Sequence, residues 1–317
     1  MAAPTLKQLR YFEALARHGH FGRAAEASAI SQPALSVQIR DLEAMLGLPL
    51  FERGSRSLRL TGFGERFRLR VREILRAVDD LDDLARDARG QFHGVLRLGI
   101  IPTVAPYILP RLLGHLAADF ADLDVEIRET TTLPLLDEVK EGRLDTAIVA
   151  LPVSEPSLQE ATLFTEPFVL VRPASESDRP LPDRSALREM RLLLLEEGHC
   201  FRDQALSFCE MASGSGTRGL DATSLSTLVQ MVSAGLGLTL LPQMAVDIES
   251  RSASISLSRF DSPEPSRTIG LVWRRTSPLA GQMQTLADSI SVAFGRSSVA
   301  EVDPASRDGG AAQGAKA

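Results

Sequence analysis

The chain has 317 residues, 44% of them hydrophobic and 24% charged, a globular mix that excludes a wholly disordered protein and fits two or three domains. No run of about 18 uncharged apolar residues occurs, and the opening Met-Ala-Ala-Pro-Thr-Leu-Lys-Gln lacks the apolar core of a signal peptide, so neither a spanning helix nor export is expected. The net charge of −6 is uneven: residues 1–60 hold eight Lys/Arg against five Asp/Glu, residues 61–90 seven against seven, and the remainder 20 against 29. A small basic head on an acidic body suits a cytoplasmic protein whose N-terminal module touches a polyanion.

The first 60 residues read as short helices. Leu6, Leu9, Phe12, Leu15 and Ala16 recur as one helical face that stops near Gly19. A second run spans Phe21 to Ala29, and Ser31-Gln32-Pro33 starts a third that carries Leu35, Ile39, Leu42 and Leu46 to Gly47. Pro49–Arg53 and Ser57–Leu60 look like a two-stranded wing. Ala24 and Ala25 let the second helix approach the third closely, the character of a helix-turn-helix. The third helix presents Ser31, Gln32, Pro33, Ser36, Gln38 and Arg40, short polar groups and a cation suited to base edges and phosphates in a major groove. Arg23 joins them as a candidate DNA contact, and Arg53 and Arg56 on the wing would meet phosphate. The plainer reading is a three-helix packing module with a polar face.

Residues 61–89 form one proline-free helical stretch. Phe67, Val71, Ile74, Val78, Leu81, Ala85 and Ala88 follow a 4-3 spacing, which predicts a coiled-coil seam and a dimer; the alternative is a helix lying on its own domain. From residue 91 strands alternate with helices. Expected strands are Val95–Ile101, Asp124–Thr131, Asp145–Ala150, Phe168–Arg172, Leu192–Glu196, Leu238–Leu241 and Ile269–Trp273. Expected helices are Tyr107–Phe120, Pro134–Gly142, Ser224–Gly235 and Leu279–Phe294. The alternation predicts parallel sheets with crossover helices, arranged as two α/β lobes around a cleft. The domain reading is 1–60, 61–90 and 91–296, with 297–317 as a disordered tail.

Residues 5–65 resemble the winged helix-turn-helix of the LysR-type transcriptional regulators. The resemblance rests on Leu9-Arg10-Tyr11-Phe12, Ala24-Ala25, Ser31-Gln32-Pro33-Ala34-Leu35-Ser36, Leu42-Glu43 and Leu50-Phe51-Glu52-Arg53, and it continues through the rest of the chain. It implies a winged helix-turn-helix, a long linker helix and a two-lobed, periplasmic-binding-protein-like α/β effector domain. It also implies a homodimer or dimer of dimers on a partly palindromic promoter site, with RNA polymerase as a further partner.

The cysteine segment carries the most chemistry. The two cysteines are no disulfide scaffold, and with five scattered histidines they build no zinc site, so neither metal nor cofactor is expected. Gly198-His199-Cys200-Phe201-Arg202-Asp203 places Cys200 between two potential cations, in a turn before a helical pattern that starts at Asp203, and each feature favours a thiolate. Cys209 lies among Leu206, Phe208 and Met211, a setting for an inert buried thiol. If the segment were helical, nine steps of about 1.5 Å would separate the two by about 13 Å, whereas a disulfide needs about 7 Å or less. Pairing would therefore demand refolding. The plain alternative is that both are merely small buried residues.

Gly-His-Cys-x-Arg-Asp-Gln-Ala with a following Phe-Cys is similar to the sensor segment of the peroxide-sensing branch of the LysR-type regulators. That resemblance implies that hydrogen peroxide oxidises Cys200 to a sulfenic acid, that Cys209 condenses with it, and that a thiol system such as glutaredoxin resets the pair. It implies support of the thiolate by His199 and Arg202, and of the local hydrogen bonding by Asp203. By their own spacing, Thr103 and the run Thr130-Thr131-Thr132 read as helix N-caps or as hydroxyls at the mouth of a sheet. The resemblance assigns Thr103 and Thr132 to holding peroxide, with the register among the three threonines open. Phe201 stands where a smaller aliphatic residue is usual, and the Ala212–Thr217 loop is Ser/Gly-rich; both bear on how easily the segment refolds. Arg267 resembles a position near the lobe interface, without a role derivable from sequence.

The leading expectation is thus a peroxide-responsive activator of antioxidant genes, not an enzyme. The alternatives are a LysR-type regulator answering a small organic metabolite, with incidental cysteines, and a thiol peroxidase using Cys200 catalytically.

Overall fold

The computed structural model describes residues 3–52, 58–88, 93–209 and 221–295. Its N-terminal module begins with α1 (Leu6–His18), where Thr5 Oγ1 accepts from the Gln8 amide and Gln8 Oε1 from the Thr5 amide, a reciprocal cap. Helices α2 (Phe21–Ala27) and α3 (Gln32–Leu46) follow. Leu9, Phe12, Leu15, Ala24, Ala25, Leu35 and Leu42 form their common core, the face the spacing predicts apart from Leu6, which the first turn leaves 45% exposed. The described residues of the wing hold an antiparallel bridge, Phe51 with Leu60, and Glu43 pins it to α3 by accepting from the Leu50 and Phe51 amides at 2.7 and 3.2 Å. Gly64 passes so close to the Leu50 carbonyl that a Cβ would sit 2.2 Å from its oxygen. Arg53 and Arg56 lie outside the described residues.

Helix α4 (Gly62–Ala88) corrects the predicted seam. Val71 is buried in the N-terminal core, with Phe67 and Leu75 packed on it, so the first turns lie on their own domain as the alternative had it. The large apolar residues left exposed on it are Leu69, Ile74, Leu81 and Leu84, of which Ile74 and Leu81 belong to the predicted seam. Charge fixes the helix at both ends. Glu13 of α1 receives Arg68 in a two-point contact at 3.1 Å, and Arg72 at 3.0 Å.

The effector part begins with β1 (Gly94–Ile100), α5 (Ala105–Asp119), β2 (Leu123–Glu129), α6 (Thr132–Lys140) and β3 (Thr146–Leu151). It continues with β4 (Leu158–Pro173), α7 (Arg184–Glu189), α8 (Cys200–Phe208), α9 (Leu225–Ser233), β5 (Thr239–Pro242) and α10 (Gln243–Glu249). The final elements are β6 (Ile255–Arg259), β7 (Ser266–Arg274) and α11 (Ala280–Gly295). Among the described strands, β1 pairs in parallel with β2 and β3; β7 runs antiparallel to β3 and β4, and β5 and β6 run antiparallel to β4. The sheet is mixed, not parallel as expected. The cause is β4, a 16-residue strand whose first half pairs with β7 and whose second half pairs with β5 and β6.

Two apolar cores result. Lobe I gathers Leu96, Leu98, Ile148, Leu271, Trp273 and Ile290, among others, between β1, β3, β7 and the helices α5, α6 and α11. Lobe II gathers Leu170, Phe201, Leu206, Leu228, Val229 and Leu240 around β4, α8 and α9. Arg72 also pairs with Glu141 at the end of α6, Arg76 donates to the Lys140 carbonyl at 3.2 Å, and Arg274 of β7 meets Asp80 at 2.8 Å. These contacts seat α4 against lobe I.

Three further expectations change. Leu192–Glu196 is extended but forms only isolated parallel bridges, Leu192 to Leu238 and Leu195 to Ala222; it switches partner too soon to propagate a ladder. The first half of β4 escapes prediction because Pro167 interrupts its pattern. Helices α7 and α10 and strand β6 are too short for a clear period.

Candidate functional site

Gly198 adopts φ +97°, a backbone state that favours glycine, and a Cβ there would stand 3.9 Å from the Thr131 side chain. This turn delivers Cys200 as the first residue of α8, three residues earlier than the spacing placed the helix start. Cys200 is half-buried and packs against the core of lobe I. Cys209 caps the other end of the same helix and is fully buried in the core of lobe II. Both are free thiols, and burial pushes the Cys209 thiol up to about 11.

The neighbours of Cys200 differ from the expectation. His199 is buried, and that burial holds its imidazole below the usual histidine range, with Glu196 opposing weakly; it is neutral at pH 7, not a cation. Arg202 is also buried, but it donates to the Leu195 carbonyl at 2.6 Å and pairs with Asp221 at 3.0 Å. It ties α8 to the partner-switching segment. Asp203 is exposed and lines a separate groove with Gln204, Phe208 and Pro265, on another side of α8 from the cleft.

Between the lobes lies a cleft of about 340 Å³. Thr103, Thr130 and Thr131 line it from lobe I, His199 and Ser226 from lobe II, whereas Cys200 and Thr132 stand outside its lining. Thr132 begins α6, and its hydroxyl oxygen is buried without a hydrogen-bond partner. Thr103 is buried, and its Oγ1 accepts from Arg267 Nη1 at 2.9 Å while its carbonyl accepts from Nη2 at 2.9 Å. Because the guanidinium fills an acceptor site on the Thr103 hydroxyl, that hydroxyl's proton is left to point elsewhere.

Two groups were not readable as a site from sequence. Arg267, fully buried, pairs with Glu166 at 2.8 Å and lies over the Phe201 ring at 5.4 Å, while Phe201 meets Phe168 edge-on at 5.3 Å. A signal existed: Arg267 shares its strand face with Ile269 and Leu271, so it had to point inward. The second group is Tyr107, whose hydroxyl donates to Glu249 Oε1 at 2.7 Å, joined by Ser226 Oγ at 2.9 Å. No periodicity links residues 107 and 249.

On the N-terminal module, Arg23, Ser31, Gln32, Pro33 and Arg40 are exposed, while Ser36 and Gln38 are half-buried. Ser31 also caps α3 by accepting from the Ala34 amide at 3.3 Å, and Arg40 Nε donates to the Ser36 carbonyl at 3.3 Å.

Residues 6–65 match the model of the bacterial regulatory helix-turn-helix protein, lysR family, and residues 89–294 match the LysR substrate binding domain. The chain belongs to the LysR family. Among curated relatives of this LysR-type regulator is the probable hydrogen peroxide-inducible genes activator of Streptomyces viridosporus. It is 45% identical over 92% of this chain and 95% of that protein. The DNA-binding transcriptional dual regulator OxyR of Escherichia coli K12 is 41% identical over 90% of this chain and 94% of its own. Among solved structures, full-length Pseudomonas aeruginosa OxyR with a Cys-to-Asp change has a TM-score of 0.71 at 36% identity, covering 92% and 95% of the two chains. A Corynebacterium glutamicum OxyR Cys-to-Ser mutant, bound to hydrogen peroxide, has a TM-score of 0.63 at 37% identity, covering 93% and 94%.

Proposed function

We propose that this LysR-type regulator is a DNA-binding transcriptional activator that senses hydrogen peroxide through Cys200 and Cys209. The observation that carries the reading is their placement at opposite ends of α8, one against lobe I and the other inside lobe II. The Cys200 thiolate attacks one peroxide oxygen, the O–O bond breaks, and a sulfenic acid forms with release of hydroxide. The Cys209 sulfur then displaces that hydroxyl as water, and an S–S bond forms. Nine steps along the helix hold the two Cα atoms roughly 13 Å apart, so the second step requires α8 to unwind, and the oxidised chain adopts a different conformation.

The orphaned Thr132 hydroxyl and the free proton of Thr103 support their assignment to holding peroxide, and His199 lines the cleft beside Thr103 as a neutral donor or acceptor. Arg202 and Asp203 retain a structural part in this reading: the first secures the start of α8, the second faces solvent. Arg23, Ser31, Gln32, Pro33, Ser36, Gln38 and Arg40 make the promoter-facing surface, and Arg53, outside the described residues, is a further candidate contact. The exposed Ile74, Leu81 and Leu84 stripe fits a second copy, and a dimer of dimers on DNA follows. In this reading the regulator is cytoplasmic, meets RNA polymerase and is reset by a glutaredoxin-like thiol reductant; among the described residues no helix is long and apolar enough to cross a membrane.

One observation favours a second reading. A cleft of about 340 Å³ has room for an organic metabolite, as in a regulator with incidental cysteines. Mass spectrometry of the reduced protein after a stoichiometric peroxide pulse, with thiols trapped before digestion, separates the two. A loss of two hydrogens with Cys200 linked to Cys209 supports the sensor; two free thiols overturn it in favour of the metabolite reading.

A further inference from the structure

The walls of the inter-lobe cleft carry charge of one sign. Glu129 lines it from lobe I and Glu249 from lobe II, and no lysine or arginine lines it among the described residues. Two buried cations stand behind the wall, and both are already paired, Arg267 with Glu166 and Arg202 with Asp221. Glu249 is itself buried, so its charge acts through protein more than through water. Its position is fixed from both sides: the Tyr107 hydroxyl of α5 reaches across the lobes to Oε1, and Ser226 of α9 donates to the same oxygen. Burial, and then the bond to Glu249, push the Tyr107 phenol well above its ordinary value, so it stays a donor and the carboxylate its acceptor.

We infer that Glu249, pinned across the cleft by Tyr107 and Ser226, is a specificity-determining residue that acts as a charge filter, admitting uncharged peroxides past the cleft-lining His199 to the adjoining Cys200 and turning away anionic oxidants. The inference rests on the peroxide-sensing reading above and deepens it. Hydrogen peroxide is neutral and small, so it crosses a negative cleft without an electrostatic penalty. A peroxy-acid anion or a carboxylate-bearing hydroperoxide approaches the same thiolate against the fixed charges of Glu249 and Glu129. Both classes would do the same chemistry on arrival. Hydrogen peroxide leaves hydroxide behind, and peroxymonosulfate would transfer its terminal OH to sulfur and leave as sulfate.

The test compares the rates at which hydrogen peroxide and peroxymonosulfate oxidise Cys200 in the full-length reduced protein, by quenched flow with thiol trapping. Each rate is divided by that of the same chain unfolded in urea, which removes the intrinsic reactivity of the oxidant. In the wild type the normalised peroxymonosulfate-to-peroxide ratio is well below one, and it rises in about 1 M salt as the field is screened. Glu249→Gln raises the ratio about tenfold. Glu129→Gln, at an exposed position, raises it less, and Glu249→Asp keeps it low. Tyr107→Phe removes the latch but not the charge, so the ratio stays near the wild-type value. An unchanged ratio in Glu249→Gln overturns the filter, as does a Tyr107→Phe variant that matches it, because lobe opening would then be the cause. A Cys200 that hydrogen peroxide oxidises no faster than in the unfolded chain overturns the sensing reading itself.

Discussion

The two ends of α8 are nine residues apart and chemically opposite. Its first turn sits at the lobe junction, beside a glycine in a left-handed turn, with Cys200 half-buried against lobe I. Its last turn is sealed in lobe II, where burial keeps the Cys209 thiol protonated. One end is built to meet a reagent and the other to be withheld from it. A disulfide between them cannot form by sliding; it forms only when the withheld end is given up. The lesson is that the packing of lobe II, more than the reactivity of Cys209, sets how readily the second step follows the first.

The largest effect comes from deleting the reactive end. Cys200→Ser should abolish peroxide-dependent change in promoter binding, whereas Cys209→Ser should still form a sulfenic acid at Cys200 that dimedone traps, without an intramolecular disulfide. Mass spectrometry reads both. If Cys209→Ser instead protected Cys200 from oxidation, the division of labour along α8 would be wrong.

Next is accessibility. Iodoacetamide at pH 8 should alkylate Cys200 at least about a hundredfold faster than Cys209, since a thiol pushed to about 11 is almost wholly protonated there and has to be exposed by unfolding first. The preference should vanish in denaturant. Comparable rates in the folded protein would remove the contrast.

Phe201 offers a graded change. It fills lobe II against Phe168 and lies under Arg267, so Phe201→Leu should cost about 1–2 kcal/mol in urea unfolding and speed disulfide closure after sulfenate formation several-fold. A slower closure would show that Phe201 helps the refolded state instead.

Smaller effects belong to charge. His199 is held below its ordinary value, so the folded state resists a proton that the unfolded chain takes up near pH 6.5. Its contribution is present above about pH 6.5 and is lost as pH falls through the lower folded value. The loss of stability from pH 7 to 5 should therefore be shallower in His199→Asn than in the wild type. Glu13→Gln, which leaves Arg68 and Arg72 without their shared carboxylate, should cost about 1 kcal/mol in thermal or urea unfolding.

Much of this was legible in the chain. The face Leu9-Phe12-Leu15, the Ala24-Ala25 contact and the start at Ser31 follow from period and capping chemistry, and they came out as read. The contrast between Cys200 and Cys209 was visible in their neighbours. What the sequence withheld depends on tertiary partners. His199 and Arg202 look cationic in a row of letters, but burial neutralises the first and Asp221 and Leu195 occupy the second. The apolar 4-3 spacing of α4 could not say which turns its own domain would claim. The Tyr107–Glu249 and Arg267–Thr103 contacts join residues 142 and 164 positions apart, beyond the reach of any local pattern.

The register of the long strand has one more consequence. Pro167, where β4 leaves lobe I, pairs with Ser266, where β7 re-enters it. Neighbouring strands lie about 5 Å apart, so the chain departs for lobe II and returns from it at nearly the same point. Lobe II is an insertion on a two-stranded stalk, and Arg267, buried at its foot, is tied to the stalk's own Glu166. A joining turn between residues 166 and 267 would close lobe I into a continuous domain of its own. By the same token, the covalent route by which an oxidised α8 can inform the rest of the molecule is two peptide strands wide.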